Sequence, residues 1–135
     1  MCGINGFIDW SKKITEDVLK KSTDSIAYRG PDDSGYQLYK NNDCNVGFGH
    51  RRLSILDLSA LGHQPMHDIN NEHSIIFNGE VYNFQEIRNP LLEAGYKFKS
   101  NSDTEVLLYG LKHFGPKAID SFIGMFAIAY FDQVK

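Results

Sequence analysis

The second residue of the chain is a cysteine that directly follows the initiator methionine. A small second residue favours removal of Met1, which would leave a thiol and a free α-amine on Cys2, a nucleophile together with its base. A thiol has a pKa of about 8.5 and an α-amine one of about 7.7 to 8.0, so roughly a tenth of the amine can accept the thiol proton at pH 7. The structural alternative is that Cys2 is a small hydrophobic residue opening the first strand.

The dipeptide Asn78-Gly79 has two interpretations. Asn-Gly between apolar runs is the strongest short signal for a two-residue hairpin turn, and the dipeptide alone favours that turn. The alternative is an anion hole, in which the Asn78 side-chain amide and the Gly79 backbone N–H donate to a developing oxyanion. Glycine suits this role because a backbone without a Cβ can approach a ligand closely.

Two charged residues are candidates for binding a substrate that carries both charges. Arg52 shares strand parity with His50 and Ser54, which indicates either a polar face with a solvated edge-strand arginine, the commoner case, or a polar pocket. In a pocket, the guanidinium would bind a carboxylate through two parallel hydrogen bonds. Asp103 stands at a predicted helix start, where it either complements the helix dipole or accepts hydrogen bonds from a substrate ammonium.

The histidines do not predict a metal site. His63 and His67 flank a proline rather than sharing a helix face, His73 follows six residues later, and no matching cysteine pair accompanies them. Cys44 lies among asparagines in a predicted turn and is given no role.

Composition limits the class of protein. The chain has 135 residues, 14 basic against 17 acidic, a net charge of -3 and 41% hydrophobic residues, values typical of one globular domain. It has no basic run for nucleic acid or an anionic membrane. Its longest apolar stretch, residues 123–131, is far shorter than the ~20 residues of a membrane helix. The start lacks a secretory signal and two cysteines are too few for a disulfide scaffold, so we expect a cytoplasmic protein.

Alternation and turn-forming residues predict five strands, with a loop over residues 29–35. The strands cover residues 2–9, 36–40, 46–55, 74–77 and 125–131. The last is almost continuously apolar, which is typical of a strand buried on both faces. Such a strand needs a neighbour on each side, so a chain that ends shortly after it is expected to be cut within a hairpin.

Apolar periodicity and capping residues predict three helices. The first covers residues 15–28, with Thr15 as N-cap and a buried side at Val18, Leu19, Ser22 and Ile26. The second opens with a capping box of Asn83 and Glu86 and must be kinked or split by Pro90 near Asn89.

The third helix has the better start signal, Ser102-Asp103-Thr104-Glu105, and it ends at Gly115-Pro116. Its predicted buried stripe is Val106, Leu107, Leu108 and Leu111. Helices long enough to cover a sheet, together with more strands than helices, favour a mixed α and β fold with mostly antiparallel pairing.

Seven short motifs occur in one series along the chain. They are Cys2-Gly3-Ile4, Arg29-Gly30-Pro31-Asp32, Arg52-Leu53-Ser54-Ile55, Gln64-Pro65-Met66, Asn78-Gly79-Glu80-Val81-Tyr82-Asn83, Ser102-Asp103-Thr104-Glu105 and Gly124-Met125-Phe126-Ala127. The series resembles the class II glutamine amidotransferase (glutaminase) domain of glutamine-dependent asparagine synthetases and runs from residue 2 almost to the C-terminus. The Arg-Leu-Ser-Ile and Asn-Gly-Glu-Val-Tyr-Asn motifs look more like this branch than the sugar-phosphate or purine-pathway branches.

The resemblance implies an α+β fold of the N-terminal nucleophile hydrolase type, an αββα sandwich of two antiparallel sheets between helical layers. Residues 1–135 would be the glutaminase domain, incomplete at its C-terminal end because the family's domain normally continues further. A synthetase domain, normally C-terminal in the same chain, would hold ATP and Mg²⁺. No cofactor or metal is implied for residues 1–135.

The resemblance also implies a role for each candidate site residue. Cys2 would be the nucleophile once Met1 is gone, and Asn78 with Gly79 would form the oxyanion hole, which a turn could also present. Arg52 would hold the glutamine α-carboxylate, while Asp103 and Glu80 would hold its α-ammonium. The residues after Arg52 would lend backbone groups to the pocket: Leu53, Ser54, Ile55 and Leu56.

The function implied is hydrolysis of L-glutamine to glutamate and ammonia through a Cys2 thioester, with the ammonia used for asparagine synthesis by the ATP-dependent domain. Two alternatives stay open. The chain could be a non-catalytic module, because Met1 is retained or the fold is incomplete, or an amidotransferase of the same class serving a different acceptor. No Gly-rich phosphate loop of the usual spacing is present. Neither nucleic acid nor a membrane is an expected partner.

Overall fold

Two antiparallel sheets stack face to face in the computed structural model, which describes residues 2–54 and 60–134. In the first sheet, β3 (Asn45–Arg52) lies between β1 (Gly3–Asp9) and β2 (Asp33–Lys40). In the second, β5 (His73–Val81) lies between β4 (Met66–His67) and β6 (Gly124–Asp132). The helices are α1 (Glu16–Ser25), α2 (Phe84–Glu93) and α3 (Asp103–Phe114), with short 3-10 helices at Ala27–Arg29, Ala60–Gly62 and Gly115–Ser121. None of the helices in these ranges is long and apolar enough to cross a membrane.

Side-chain alternation gives each sheet one face for the other sheet and one face for helices. Val46 and Phe48 of β3 pack with Ile76 of β5 in the core between the sheets. Odd-numbered residues of β5, such as Phe77, pack instead into a second core with α2 and α3. Since α1 contacts the outer face of β3, the layer order is αββα, and the fold class implied by the resemblance is confirmed.

The first helix is shorter than predicted and buries a narrower side. It begins after Thr15, whose side chain makes no capping hydrogen bond, and it ends at Ser25. Leu19 and Thr23, one turn apart, are its buried residues. They form a single row towards β3, so Val18 falls beside that row and is 50% exposed.

The second helix is not capped as predicted, and of the two effects predicted for Pro90, a kink or a split, the split is wrong. Asn83 is the N-cap residue but makes no capping bond with its side chain. Its side chain bridges two distant groups instead: Nδ2 donates to Ser121 O at 2.9 Å, and Oδ1 accepts from Ile123 N at 2.9 Å. The helix also continues through Pro90 to Glu93. Asn83 therefore fixes the entry of β6 rather than the start of α2.

The third helix follows its sequence signals. Ser102 Oγ accepts a hydrogen bond from Glu105 N at 3.3 Å, and Gly115, with φ of 70°, ends the helix. The four predicted stripe residues are buried, and burial extends over residues 104–111. That width arises because α3 packs on β5, on α2 and on the 3-10 helix after it.

Several strand boundaries differ from the prediction. β5 continues to Val81 rather than ending at residue 77, and β4 is not among the predicted strands. β2 begins at Asp33, inside the segment expected to be a loop, and β3 ends at Arg52 rather than at residue 55. Residues 55–59 lie outside the described part of the chain.

The apolar strand near the C-terminus was expected to be buried on both faces, and this is wrong for the described structure. β6 pairs with β5 along one edge, and the sheet order places it at the end of its sheet. Most of its residues are half-buried, and Met125 is 75% exposed. An apolar run predicts burial only where a second neighbour covers it, and no described strand does so here.

Replacement of Ser102 by alanine should destabilise the fold by about 1 kcal/mol, because a buried helix start loses its capping acceptor. Thr15→Ala is the matched control, since Thr15 is an N-cap residue whose side chain makes no such bond. Urea unfolding monitored by circular dichroism measures both free energies. Equal effects of the two substitutions would show that the Ser102 cap does not contribute.

Candidate active site

Strand register brings the predicted site residues of the first sheet to one end of the layer between the sheets. Val46 and Phe48 face the second sheet, so His50 and Arg52, at the same parity, face it too. Gly3 pairs with Arg51, and one step further along this register sets Cys2 beside Arg52. The N-terminal end of β1 and the C-terminal end of β3 therefore bring Cys2 and Arg52 into neighbouring positions.

The second sheet contributes Asn78 to the same layer. Ile76 packs in the core between the sheets, and Asn78, two residues later in β5, faces the same way. His50 Nε2 lies 3.3 Å from Phe77 O, which ties β3 to β5 at this level. The hairpin turn favoured by the dipeptide is wrong: Asn78 and Gly79 lie within β5 and pair with Ala127 and Phe126 of β6.

The Cys2 sulfur is partly exposed and is held by the chain segment after β3. Leu53 N donates to Sγ at 3.4 Å, and the thiol lies 3.8 Å from Leu53 O. Arg29 donates from Nε and Nη2 to Cys2 O, each at 3.4 Å. The two hydrogen bonds from Arg29 to the Cys2 carbonyl fix the main chain that carries the sulfur.

The Arg-Gly-Pro-Asp segment supports the end of β3, a role that its turn-forming composition did not reveal. A Cβ at Gly30 would lie 2.4 Å from the Arg51 carbonyl, so only glycine permits this approach. Asp32 N donates to Arg52 O at 3.0 Å, and Asp32 Oδ2 accepts from Ser54 N at 2.7 Å. This segment thereby fixes the backbone that carries Arg52, Leu53 and Ser54.

Arg52 is buried in the central strand of its sheet, so the solvated edge-strand interpretation is wrong. Its guanidinium lies against Gly62, where a Cβ would fall 2.1 Å from Nη2. Asp33 is its register partner in β2. Burial raises the pKa of Asp33, but the hydrogen bond and charge of His63, at 2.7 Å, and the charge of Arg52 bring the pKa below its ordinary value.

The N–H of Gly79 points to the free edge of β5. Hydrogen bonds from Tyr82 N to Ile123 O (2.8 Å) and from Gln133 N to Glu72 O (2.9 Å) show that even-numbered residues of β5 bond to β6. The backbone N–H and C=O groups of odd-numbered residues therefore point to the opposite edge of β5, where pairing with β4 extends only as far as Ile75. Gly79 lies beyond that end.

The backbone conformation at Gly79 requires glycine. Its φ is 148°, and a Cβ would lie 2.2 Å from Met125 O in β6. On the opposite face, the Oδ1 atom of Asn78 is buried without a hydrogen-bond partner among the described residues. Oδ1 is an acceptor that a donor group of a ligand would satisfy, and the Gly79 N–H at the strand edge is a donor, so the two neighbouring residues offer one group of each kind.

Asp103 is the first residue of α3 and lies next to the end of β5. Its Oδ2 accepts from Val81 N at 3.2 Å and its Oδ1 from Thr104 N at 2.8 Å. Burial, and secondarily the charge of Glu80, raise the pKa of Asp103 above its ordinary value. A bound cation would relieve the desolvated carboxylate of Asp103, and the exposed carboxylate of Glu80 adds to the negative charge there.

The other predicted residues fall into two groups. Leu53 and Ser54 have the contacts given above, whereas Ile55 and Leu56 lie outside the described residues. Of the histidines, His63 bonds Asp33 and His73 bonds the hydroxyl of Tyr130 at 2.7 Å.

Over residues 2–54 and 60–134, one group of three ligand-type side chains comes close together: Asp68, Glu72 and His73. Asp68 already binds Lys112 Nζ and accepts from the backbone N–H groups of Glu72 and His73. The ion pair and the capped turn therefore explain why these three side chains lie close together.

Comparisons with known proteins agree on one family. A family model described as a glutamine amidotransferase domain matches residues 1–135. Asparagine synthetase (glutamine-hydrolyzing) 2 of Bacillus subtilis is 40% identical over 100% of this chain and 18% of its own length. Asparagine synthetase B (glutamine-hydrolyzing) of Escherichia coli is 38% identical over 100% of this chain and 24% of its own.

A solved structure of glutamine phosphoribosylpyrophosphate amidotransferase from B. subtilis superposes with a TM-score of 0.72 at 17% identity, over 96% of this chain and 35% of that one. At that identity the likeness concerns the fold. The chain spans about a fifth of the length of the two synthetases that it matches.

Acidification from pH 7 to pH 4 should destabilise the protein through His50. Burial lowers the pKa of His50 to about 4, whereas the ordinary value is 6.5, so the unfolded chain binds the proton first as the pH falls. Protonation of His50 therefore leaves the free energy of unfolding unaffected above pH 6.5 and lowers it by about 3 kcal/mol at pH 4. Urea unfolding at both pH values should show that wild type loses about this much more than His50→Gln, which cannot titrate. Equal losses would contradict the assignment.

Proposed function

This chain belongs to the glutamine amidotransferase domain family, and we propose that it hydrolyses the side-chain amide of L-glutamine to glutamate and ammonia through a thioester on Cys2. The observation that carries the proposal is the Cys2 sulfur, partly exposed, receiving the Leu53 N–H beside Arg52. A half-exposed thiol that receives this hydrogen bond supports a role in attack rather than in packing.

The reaction begins when removal of Met1 frees the α-amine of Cys2. The amine takes the thiol proton, and Sγ attacks the side-chain amide carbon of glutamine. The same proton passes to the leaving nitrogen, the C–N bond breaks and ammonia departs. Water then cleaves the thioester, which returns the sulfur its proton and releases glutamate.

The developing oxyanion would receive hydrogen bonds from the Asn78 side-chain amide and the Gly79 N–H. Both groups belong to a strand that is paired with β6, so they need little reorganisation during the reaction. Loss of one donor of this kind typically costs about 3 to 4 kcal/mol of transition-state stabilisation.

The amino-acid end of glutamine carries one charge of each sign, and the site offers the complement of each. Arg52 would bind the α-carboxylate through its two-pronged guanidinium, while Asp103 and Glu80 would bind the α-ammonium. The raised pKa of Asp103 supports this assignment, because a cation relieves a desolvated carboxylate. The segment Leu53, Ser54, Ile55 and Leu56 would supply backbone groups.

The acceptor is proposed from the relatives. Because they are glutamine-hydrolysing asparagine synthetases, we propose that the ammonia serves asparagine synthesis in a synthetase domain of the same, longer protein, where ATP and Mg²⁺ would bind. Cys2 and Cys44 are both free thiols, which supports a reducing, cytoplasmic setting.

Replacement of Cys2 by alanine should abolish glutaminase activity, because it removes the nucleophilic sulfur that forms the thioester. Glutamate release from L-glutamine is the measurement, and Cys44→Ala is the matched control, since Cys44 lies in the core between the sheets. Undiminished turnover in Cys2→Ala would end the proposal. The intact mass of the purified protein must show that Met1 is absent, because a retained Met1 converts the base into an amide and predicts a non-catalytic module.

Replacement of Arg52 by lysine should raise KM for glutamine about 10- to 100-fold, because lysine keeps the charge but loses the paired hydrogen bonds. Arg51→Lys is the matched control: Arg51 has the opposite strand parity and donates to Gly30 O at 3.1 Å. Steady-state kinetics separate the two. If Arg52→Lys leaves KM unchanged, Arg52 does not bind the substrate.

A further inference from the structure

We propose that His50 and Gln64 are positioning residues that hold the backbone of Phe77 so that the next two residues of β5 present their donors to the oxyanion. This inference rests on the proposed glutamine hydrolysis and adds two side chains that touch neither the substrate nor the sulfur. Both belong to other elements: His50 to β3, and Gln64 to the segment before β4.

The need for such residues follows from hydrogen bonding along the free edge of β5. There, β4 covers His73 and Ile75 and then ends, which leaves the backbone groups of Phe77, Gly79 and Val81 without a strand partner. Val81 N–H is taken by Asp103 Oδ2. Phe77 N–H donates to Gln64 Oε1 at 2.7 Å, and Phe77 O lies 3.3 Å from His50 Nε2.

Two side chains thus bond both backbone groups of a residue that a strand would otherwise hold. Gln64 is 5% exposed and His50 is 1% exposed, so neither exchanges these bonds with solvent. The Gly79 N–H lies between the fixed backbones of Phe77 and Val81. The direction of the Gly79 N–H is therefore determined on both sides, and among residues 2–54 and 60–134 no strand pairs with it.

His50 performs this task with Nε2 as the donor. Because Phe77 O can only accept, the proton must be on Nε2, and Nδ1 is buried without a partner among the described residues. Burial lowers the pKa of His50 to about 4, so the ring is neutral at pH 7. Asp33, His63 and Arg52 contribute smaller electrostatic effects of mixed sign to the same ring.

Loss of this bond should affect turnover more than substrate binding. Oxyanion donors act at 2.7–3.1 Å from the developing charge, so a small shift of β5 weakens them in the transition state. Two of the three charges proposed to bind the amino-acid end, Arg52 and Asp103, are carried by β3 and by α3 and are not displaced with Phe77. The third, Glu80, lies in β5, where its backbone is paired with Met125 of β6. An interaction lost only in the transition state lowers kcat and leaves KM nearly constant.

The test compares His50→Leu with His50→Gln in the full chain. Glutamine can place an amide N–H where His50 Nε2 lies, whereas leucine offers no donor. We expect kcat for glutamate release to fall at least 10-fold in His50→Leu with KM changed less than 2-fold, and to recover to within about 3-fold of wild type in His50→Gln. Equal losses in both variants, or a loss expressed in KM, would overturn the inference.

Gln64→Met provides a second variant if His50→Leu does not fold, because it keeps the length of the side chain and removes the acceptor for Phe77 N–H. The same loss in kcat at constant KM is expected. An unchanged kcat in folded Gln64→Met would count against the inference.

Amide hydrogen exchange separates this inference from the proposed function. Exchange across residues 75–81 should accelerate in His50→Leu and not in His50→Gln, with α1 as an unaffected reference segment. If this pattern appears but wild type releases no glutamate, the proposed function fails and the anchoring of β5 stands. If wild type is active and exchange is the same in all variants, the anchoring fails and the proposed function stands.

Discussion

The early end of β4 is the constraint on which the site depends. β5 has a full partner in β6 along one edge, but along the other edge strand pairing stops at Ile75. Buried backbone groups must find partners, so side chains from three other segments complete that edge around Gly79. A longer β4 would satisfy every group by regular pairing and would leave no donor for a ligand. The candidate site is thus a local interruption of strand pairing, bounded by side chains that hydrogen-bond the backbone groups left without a strand partner.

Two simple regularities then assemble residues that are far apart in the sequence. The two-residue period of strands directs Cys2, Arg52 and Asn78 into the same layer, and the register of β1 on β3 places the first two at the same level. Close approach at Gly30 and Gly62 lets the loop after α1 and the segment before β4 support this end of the sheets. The geometry of the candidate site arises from ordinary sheet packing with small residues at the points of contact.

Sequence reasoning predicted the elements that carry strong local signals. The Ser102 cap and the apolar stripe of α3 are local, and both are confirmed. Three expectations failed because tertiary contacts overrode local preference. Asn78 and Gly79 form part of a strand because they pair with β6. The side chain of Asn83 hydrogen-bonds the segment that leads into β6 instead of capping α2. The apolar strand β6 has no second neighbour among the described strands. The contacts of His50, Gln64 and Arg29 carry no short-range pattern, since each joins segments separated in the chain.

The opposite charges proposed to hold glutamine are carried by different layers: Arg52 belongs to the first sheet, and Asp103 begins a helix that packs on the second. The distance between the two layers would therefore set the spacing of the two charges that bind the amino-acid end of the ligand. If glutamine binds as proposed, a core side chain such as Phe48 would influence which amino acid fits, because repacking it would change the spacing between the two charges. Under this proposal, substrate selection would be partly a property of the hydrophobic interior.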